Sequence, residues 1–452
     1  MFFLAKVGPV VAKRAGRNAF MSRPVFETVL FVSRKDAPVA RQSILGIQRL
    51  GRVVRRLENA EGSRVTVVGN LPGAELRTSL SGYPKRANLN VENTLTNGVQ
   101  TEPGTRVVLF WDQNLIARKG FVEDLVQECR KAGHALSAAD GAALAVPVDL
   151  LQTTGDWRTC SSIGDVHQLL LDGAAPVREL ELEGFYCKAT DRAGRRELKT
   201  HLLDELRKPM EVDGAISVLF YRPISLRITR LIANRNIRPN HATGAALILG
   251  LMAAGAMASG TPAGFVLGAL LLQVGAIVDC VDGELARLKD QGSLSGAWFD
   301  TVTDDIVNNS FILATGIGLA RYYDAMWPLV LGAIAVMLIL PGLAYMYRDI
   351  RRMGSGDLCD FNWSFETDTA SSEAGLVARL QSVLKYAVKR DVYVLFFLLV
   401  IVCGAPSLVL YTALLGALGF ELSLIRELVY RNRFAREQAG QRVAAGMIRP
   451  IK

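Results

Sequence analysis

The stretch D-C-V-D-G-E-L-A-R-L-K-D-Q-G-S-L-S-G-A-W-F-D-T-V-T-D, from Asp279 to Asp304, decides the fold of this chain. Asp279 and Asp282 are three residues apart and Asp300 and Asp304 four apart, so on helices each pair falls on one face. Ala286 lies on nearly the same face as the first pair, where its small side chain lets another group come close. Four carboxylates converging from two helices repel one another strongly unless a cation relieves them. Oxygen-only donors point to magnesium, manganese or calcium rather than zinc. Two such ions are the usual device for clamping a diphosphate while one phosphorus is displaced. Acids on a water-facing helix surface are the bland alternative. Against it, no Asp, Glu, Lys or Arg occurs between Arg238 and Asp279, so the first pair ends a long apolar region. Carboxylates in such a place mark functional sites by default.

The stretch fits the pattern D-x2-D-G-x2-A-R-x8-G-x3-D-x3-D at all eight fixed positions and resembles the signature of the CDP-alcohol phosphotransferase family. The resemblance implies an α-helical polytopic membrane domain that passes a substituted phosphate from a CDP-linked alcohol to an acceptor hydroxyl and releases CMP. It implies Asp279, Asp282, Asp300 and Asp304 as ligands of two Mg2+ (or Mn2+) ions, with Asp304 also the base that deprotonates the acceptor. Gly283, Ala286, Arg287 and Gly296 would line the nucleotide pocket. Asn240 and Thr243 of P-N-H-A-T would lie beside the cytidine, although as helix-capping residues they are equally unremarkable. A homodimer surrounded by membrane lipids is expected. A non-catalytic CDP-alcohol-binding scaffold or a transporter reusing the fold stays open as the alternative, though a scaffold has no need of four membrane-edge carboxylates.

The 452 residues suggest two or three domains, and the apolar content is low before about residue 240 and high after it. The net charge of +9 comes without zinc spacing or an aromatic-basic motif, so no nucleic-acid partner is expected. A basic balance here reflects cytoplasmic loops and an anionic lipid surface. The six cysteines form no C-x-x-C pair and read as reduced.

Residues 1–24 are a basic tail without an apolar core for a cleaved signal. Residues 25–200 read as a soluble α/β, Rossmann-like domain. Strands are predicted at Thr28–Val32, Arg64–Val68 and Arg106–Trp111, and helices at Ile44–Leu57 and Phe121–Lys131. The runs S-I-L-G-I-Q-R-L-G-R-V-V-R-R-L and V-V-L-F-W-D-Q-N-L resemble sugar-phosphate nucleotidyltransferases, with Asp112 where a metal ligand would sit. The departures weigh more. The phosphate loop of those enzymes is replaced by the glycine-free F-V-S-R-K-D-A-P-V-A-R-Q-S, and the second metal position by F-Y-C-K-A-T at residues 185–190. The domain therefore reads as catalytically degenerate, and Asp112 as an ordinary strand-end acid.

Residues 201–240 form a connector in which Arg222–Ile232 suits a helix lying in the cytoplasmic interface. Its L-R-K-P, R-P-I-S-L-R-I-T-R-L and R-P-N-H-A-T runs resemble the connector of bifunctional di-myo-inositol-phosphate-phosphate synthase-type enzymes. That resemblance implies phospholipid or inositol-phosphate chemistry, with a lipid or a polyol phosphate as acceptor. In the domain at 241–430, six spans are predicted, at 241–259, 263–286, 295–320, 326–347, 391–405 and 406–428. A basic tail follows at 431–452. Basic residues gather in the 348–390 loop and the tail, which places both termini in the cytoplasm of a six-pass protein of a bacterial inner membrane or its equivalent. Asp305 is turned away from the metal face, and Pro341 is a candidate kink. Arg348, Arg351 and Arg352 suit an acceptor phosphate, although membrane-edge basic residues are common.

Overall fold

A computed structural model describes residues 26–32, 43–44, 47–59, 63–69, 89–92, 106–118, 120–188, 191–208, 213–289, 291–361 and 389–444. The tail at 1–24, the loop at 33–42 and the middle of the 348–390 loop, all read above, lie outside the described residues. The chain divides into two compact units, one running to Glu205 with Ala233–Asn236, the other made of Leu206–Ile232 and the chain from Ile237 onward.

The first unit is α/β. In chain order come β1 (Phe26–Val32), a hairpin of β2 (Ser43–Ile44) and β3 (Ile47–Gln48), α1 (Arg49–Asn59), β4 (Ser63–Gly69), β5 (Leu89–Glu92), β6 (Val107–Asp112) and β7 (Leu115–Ala117). Then follow α2 (Phe121–Ala132), β8 (Ala135–Ala138), β9 (Ala143–Pro147), α3 (Val148–Thr154), α4 (Ile163–Asp172), β10 (Val177–Glu179), β11 (Tyr186–Lys188) and α5 (Arg192–Asp204). Seven strands form one sheet in the order β10-β8-β9-β6-β1-β4-β5, with β9 antiparallel to β6 and β8. Every residue of β1 is buried, as befits a central strand covered on both faces. Phe110 packs against Phe31 and Trp157 on one face of the sheet. Its neighbour Trp111 meets Phe121 of α2 on the other, as strand alternation requires.

The helix expected at Ile44–Leu57 starts only at Arg49, because Ile44 and Ile47, both β-branched, pair across the short hairpin first. Asp112 ends β6 and accepts the backbone N–H of Asn114 at 2.6 Å, a local turn contact that suits a strand-end acid.

The second unit is helical. A single π-turn at Ser217–Tyr221 leads into α6 (Arg222–Ile232). Then come α7 (Pro239–Ala258), α8 (Pro262–Leu288), α9 (Leu294–Tyr323), α10 (Trp327–Arg352), α11 (Arg390–Val402) and α12 (Ser407–Ala444). Sequence chemistry marks the boundaries. Pro239 and Pro262 open their helices, and the Thr261 and Ser293 hydroxyls cap α8 and α9 at 3.0 Å. α10 runs unbroken through Pro341.

Where six spans are expected, six helices occur. Four of them, α7, α8, α10 and Ser407–Arg431 of α12, are long and apolar enough to cross a membrane. α9 carries Asp300, Asp304 and Asp305, and α11 has 13 residues. Thirteen residues rise only about 20 Å, short of a hydrocarbon core of about 30 Å. The core of the unit uses small residues so that backbones approach closely. A Cβ on Gly318 of α9 would lie 2.0 Å from the Met257 carbonyl oxygen, and one on Gly268 of α8 2.8 Å from that of Ala253.

Candidate active site

α8 and α9 are joined by five residues, so the end of one helix and the start of the other lie together. Lys289, just past α8, is tied to the Ile237 carbonyl at 2.9 Å. This turn brings the two aspartate pairs to one place. One carboxylate oxygen each from Asp279, Asp282 and Asp300 lie within 4.8 Å of one another. At an effective dielectric near 20, unit charges at such a distance repel by about 3 kcal/mol per pair. That hard, oxygen-only donor set fits a divalent cation. Asp282 is buried, and the Thr243 hydroxyl of α7 donates to it at 2.6 Å.

Asp304 lies one turn further along α9 and is not part of that three-oxygen group. Its carboxylate sits 2.6 Å from Nη1 of Arg390, the first residue of α11, and the same nitrogen donates to Asp279 at 2.8 Å. A single guanidinium thus bridges one aspartate from each pair. Asp305, as its helical angle predicts, faces elsewhere and accepts the Tyr347 hydroxyl.

Asp279, Asp282 and Asp300 line a cavity of about 260 Å³ together with Gly283, Arg287 and Asp357, whereas Asp304 is not among its lining residues. Asp213, Ser217, Tyr221, Arg222, Lys208, Lys389, Arg390 and Asp391 also line it, with Ala276 and Cys280. A Cβ on Gly283 would lie 3.3 Å from Arg287 Nη1, so the glycine leaves room for that side chain. Nε and Nη2 of Arg287 are buried and have no hydrogen-bond partner among the described residues. Asn240 is exposed at the start of α7, with its Oδ1 3.4 Å from where a Cβ of Gly296 would lie. Ala286 and Gly296 are not among the lining residues.

Behind the wall, Glu284 is completely buried and accepts from Arg222 Nη1 at 2.9 Å and from the hydroxyls of Ser225 and Thr229 at 2.6 Å each. Arg222 Nε also donates to Asp213 at 2.5 Å. Burial pulls the Asp213 carboxyl upward, but the hydrogen bond and charge of Arg222 outweigh it and hold the group below the usual carboxylate range. Tyr221 donates to Gln273 at 2.5 Å, and Gln273 to the Val394 carbonyl at 2.9 Å, tying the π-turn, α8 and α11 together.

Arg348, Arg351 and Arg352 are exposed at the end of α10 and do not line the cavity. Its cations are Lys208, Arg222, Arg287, Lys389 and Arg390, of which only Arg287 belongs to the eight-position motif. Arg390 and Asp391 left one visible signal in the sequence, an adjacent pair of opposite charges opening an apolar run. Asp357 and Glu284 left none.

Residues 236–419 match a family described as CDP-alcohol phosphatidyltransferase. A protein of Aquifex aeolicus (strain VF5) described as a bifunctional IPC transferase and DIPP synthase is 35% identical over 114 residues, 25% of this chain and 26% of that protein. A Thermococcus kodakarensis protein of the same description is 29% identical over 143 residues, 32% of this chain and 31% of the relative. One from Archaeoglobus fulgidus is 35% identical over 100 residues, covering 22% and 19%. The matches therefore span at most about a third of the length of these curated relatives.

Proposed function

We propose that this chain, whose residues 236–419 form a domain of the CDP-alcohol phosphatidyltransferase family, moves a substituted phosphate from a CDP-linked alcohol to an acceptor hydroxyl and releases CMP. The observation that carries this reading is the Asp279–Asp282–Asp300 cluster opening on the cavity. Two divalent ions, magnesium or manganese, would supply charge neutralisation on the donor diphosphate and on the departing CMP oxygen. Asp279, Asp282 and Asp300 hold that charge, and Thr243 fixes the orientation of Asp282. Arg287 and Gly283 border the nucleotide.

Asp304 accepts the proton of the acceptor hydroxyl, and Arg390, 2.6 Å away, holds its carboxylate in place. The hydroxyl oxygen bonds to the phosphorus distal to cytidine, and the bond from that phosphorus to the CMP oxygen breaks. Lys208, Lys389 and Arg390 favour an acceptor that itself carries phosphate. The relatives' names include a DIPP synthase, which with the connector resemblance favours inositol phosphate as that acceptor. The same reading includes six spans with both termini cytoplasmic, a homodimer in lipid, and a nucleotidyltransferase-like unit without activity of its own.

The test is CMP release by purified protein with Mg2+, using CDP-diacylglycerol or CDP-inositol as donor. Inositol phosphate, glycerol phosphate, diacylglycerol and ceramide would serve as acceptors. CMP is expected with one donor and a phosphorylated acceptor, and Asp304→Asn should abolish it. CMP formed equally well by Asp304→Asn would remove the assigned base. The Asp304→Asn chain should also release no pyrophosphate from CTP, and release would overturn the inactive reading of the first unit.

A further inference from the structure

Helix α12 exposes one narrow row of large apolar side chains. Leu408, Tyr411, Leu415, Leu418, Leu422 and Ile425 are between 42% and 67% exposed, and Val429 continues the row. Their spacing alternates three and four over all seven positions, which is the a/d repeat of a coiled-coil seam. From Leu408 to Ile425 no other residue of α12 is exposed. The row that α10 exposes at the same spacing is broken by Pro341 and Ala344.

Two charges flank the α12 row in a matching register. With Leu408 at position a, Glu421 falls at g and Arg426 at e of the next heptad. Glu421 lies inside the apolar stretch Ser407–Arg431, and its Oε1 is covered without a hydrogen-bond partner among the described residues. One turn away on its own helix stand Ala417, Leu418, Leu424 and Ile425, none of them a cation. Glu421 and Arg426 themselves point about 140° apart on one helix, so they do not pair within a chain. Lipid tails would cover the apolar row, but they offer a carboxylate no donor.

The homodimer of the proposed function leaves open which faces meet. Resting on that reading, we propose that the exposed row of α12 is the self-association surface. A second copy of this chain lays its own α12 parallel along it, a and d against a and d, in a left-handed crossing. Glu421 of each copy then faces Arg426 of the other, twice by two-fold symmetry. A guanidinium carries five donors, so Arg426 makes this pair without giving up a contact in its own chain. Parallel order is what two chains inserted the same way in one membrane provide.

The test has two arms, both on the full chain in a Cys403→Ser background. In the first, single cysteines are oxidised in native membranes. Leu415→Cys, Leu418→Cys and Leu422→Cys should give at least about 10-fold more disulfide-linked dimer than Met337→Cys, an exposed site on α10. In the second, the dimer–monomer midpoint on dilution in detergent is read by light scattering. Glu421→Arg and Arg426→Glu each set like charges across the seam and should weaken association by about 10-fold or more. The variant carrying both substitutions restores the pairs and should regain the wild-type midpoint, whereas mere damage to the fold would accumulate. A double variant no tighter than the single ones, or equal cross-linking at Met337→Cys and the α12 sites, overturns the inference. Cross-links confined to α10 overturn it and keep the homodimer, and wild type that is monomeric at every concentration overturns both. None of these readouts uses CMP release, so the proposed reaction stands or falls separately.

Discussion

At the scale of single residues, the site is governed by how its negative charge is balanced. Arg390 bridges Asp279 and Asp304, which lie on different helices, and so stands against the repulsion that a divalent cation would otherwise relieve. Arg390→Gln should therefore lower the melting temperature of protein kept in chelator, by less than the about 3–5 kcal/mol of a fully buried pair, since these contacts are part-buried. Adding Mg2+ should restore more stability to this variant than to wild type. Equal Mg2+-induced shifts in a thermal scan would show that Arg390 has no part in charge balance. Thr243 acts on one carboxylate only. Thr243→Val keeps the shape but removes the donor to Asp282, and should weaken metal binding by about 10-fold or more, measured by Mn2+ titration. Wild-type Mn2+ affinity in this variant would mean that the hydroxyl does not orient the ligand.

At the scale of elements, helix α6 is fastened to the motif helix α8 through one buried acid. Glu284 takes three side-chain donors, from Arg222, Ser225 and Thr229. Glu284→Ala strands those donors and should destabilise the helical unit by about 3–5 kcal/mol, whereas Glu284→Gln keeps an acceptor and loses less. Chemical unfolding in mixed micelles separates the two variants, and identical losses would refute the acceptor argument. The close approach of α7 and α9 gives a second expectation. Gly318→Ala forces a methyl against the Met257 carbonyl and should cost about 1–3 kcal/mol or more, since backbone does not yield as a flexible side chain does.

At the scale of the whole molecule, orientation is open to a thiol experiment. Cys403 is exposed, following α11, whose opposite end is the cavity residue Arg390. The proposed topology puts Cys403 on the far side of the membrane from the aspartates. A membrane-impermeant maleimide added to intact cells should label Cys403, and Cys403→Ser should abolish the signal. Cys129 does not interfere, because burial pushes its thiol up to about 12 and leaves almost no thiolate at neutral pH. Labelling of Cys403 only after the cells are opened would invert the topology.

The eight-position motif was legible in the sequence because helical spacing alone puts each aspartate pair on one face and turns Asp305 away. The α/β character of the first unit and the helical positions of the second were legible for the same reason, since periodicity and capping residues are local. The start of α1 was missed by several residues because a short β-branched hairpin competes with helix on nearly equal terms. What the sequence by itself determined is the donor chemistry, the family resemblance and the placing of the helices along the chain. Only the tertiary structure decided which charges meet: Arg390 lies 86 residues beyond Asp304, Asp391 meets Ser217, and Asp357 lines the cavity from beyond α10. The physical reason is that carboxylate spacing within one helix is fixed by its 3.6-residue period, whereas the partners of those carboxylates come from distant segments brought in by packing.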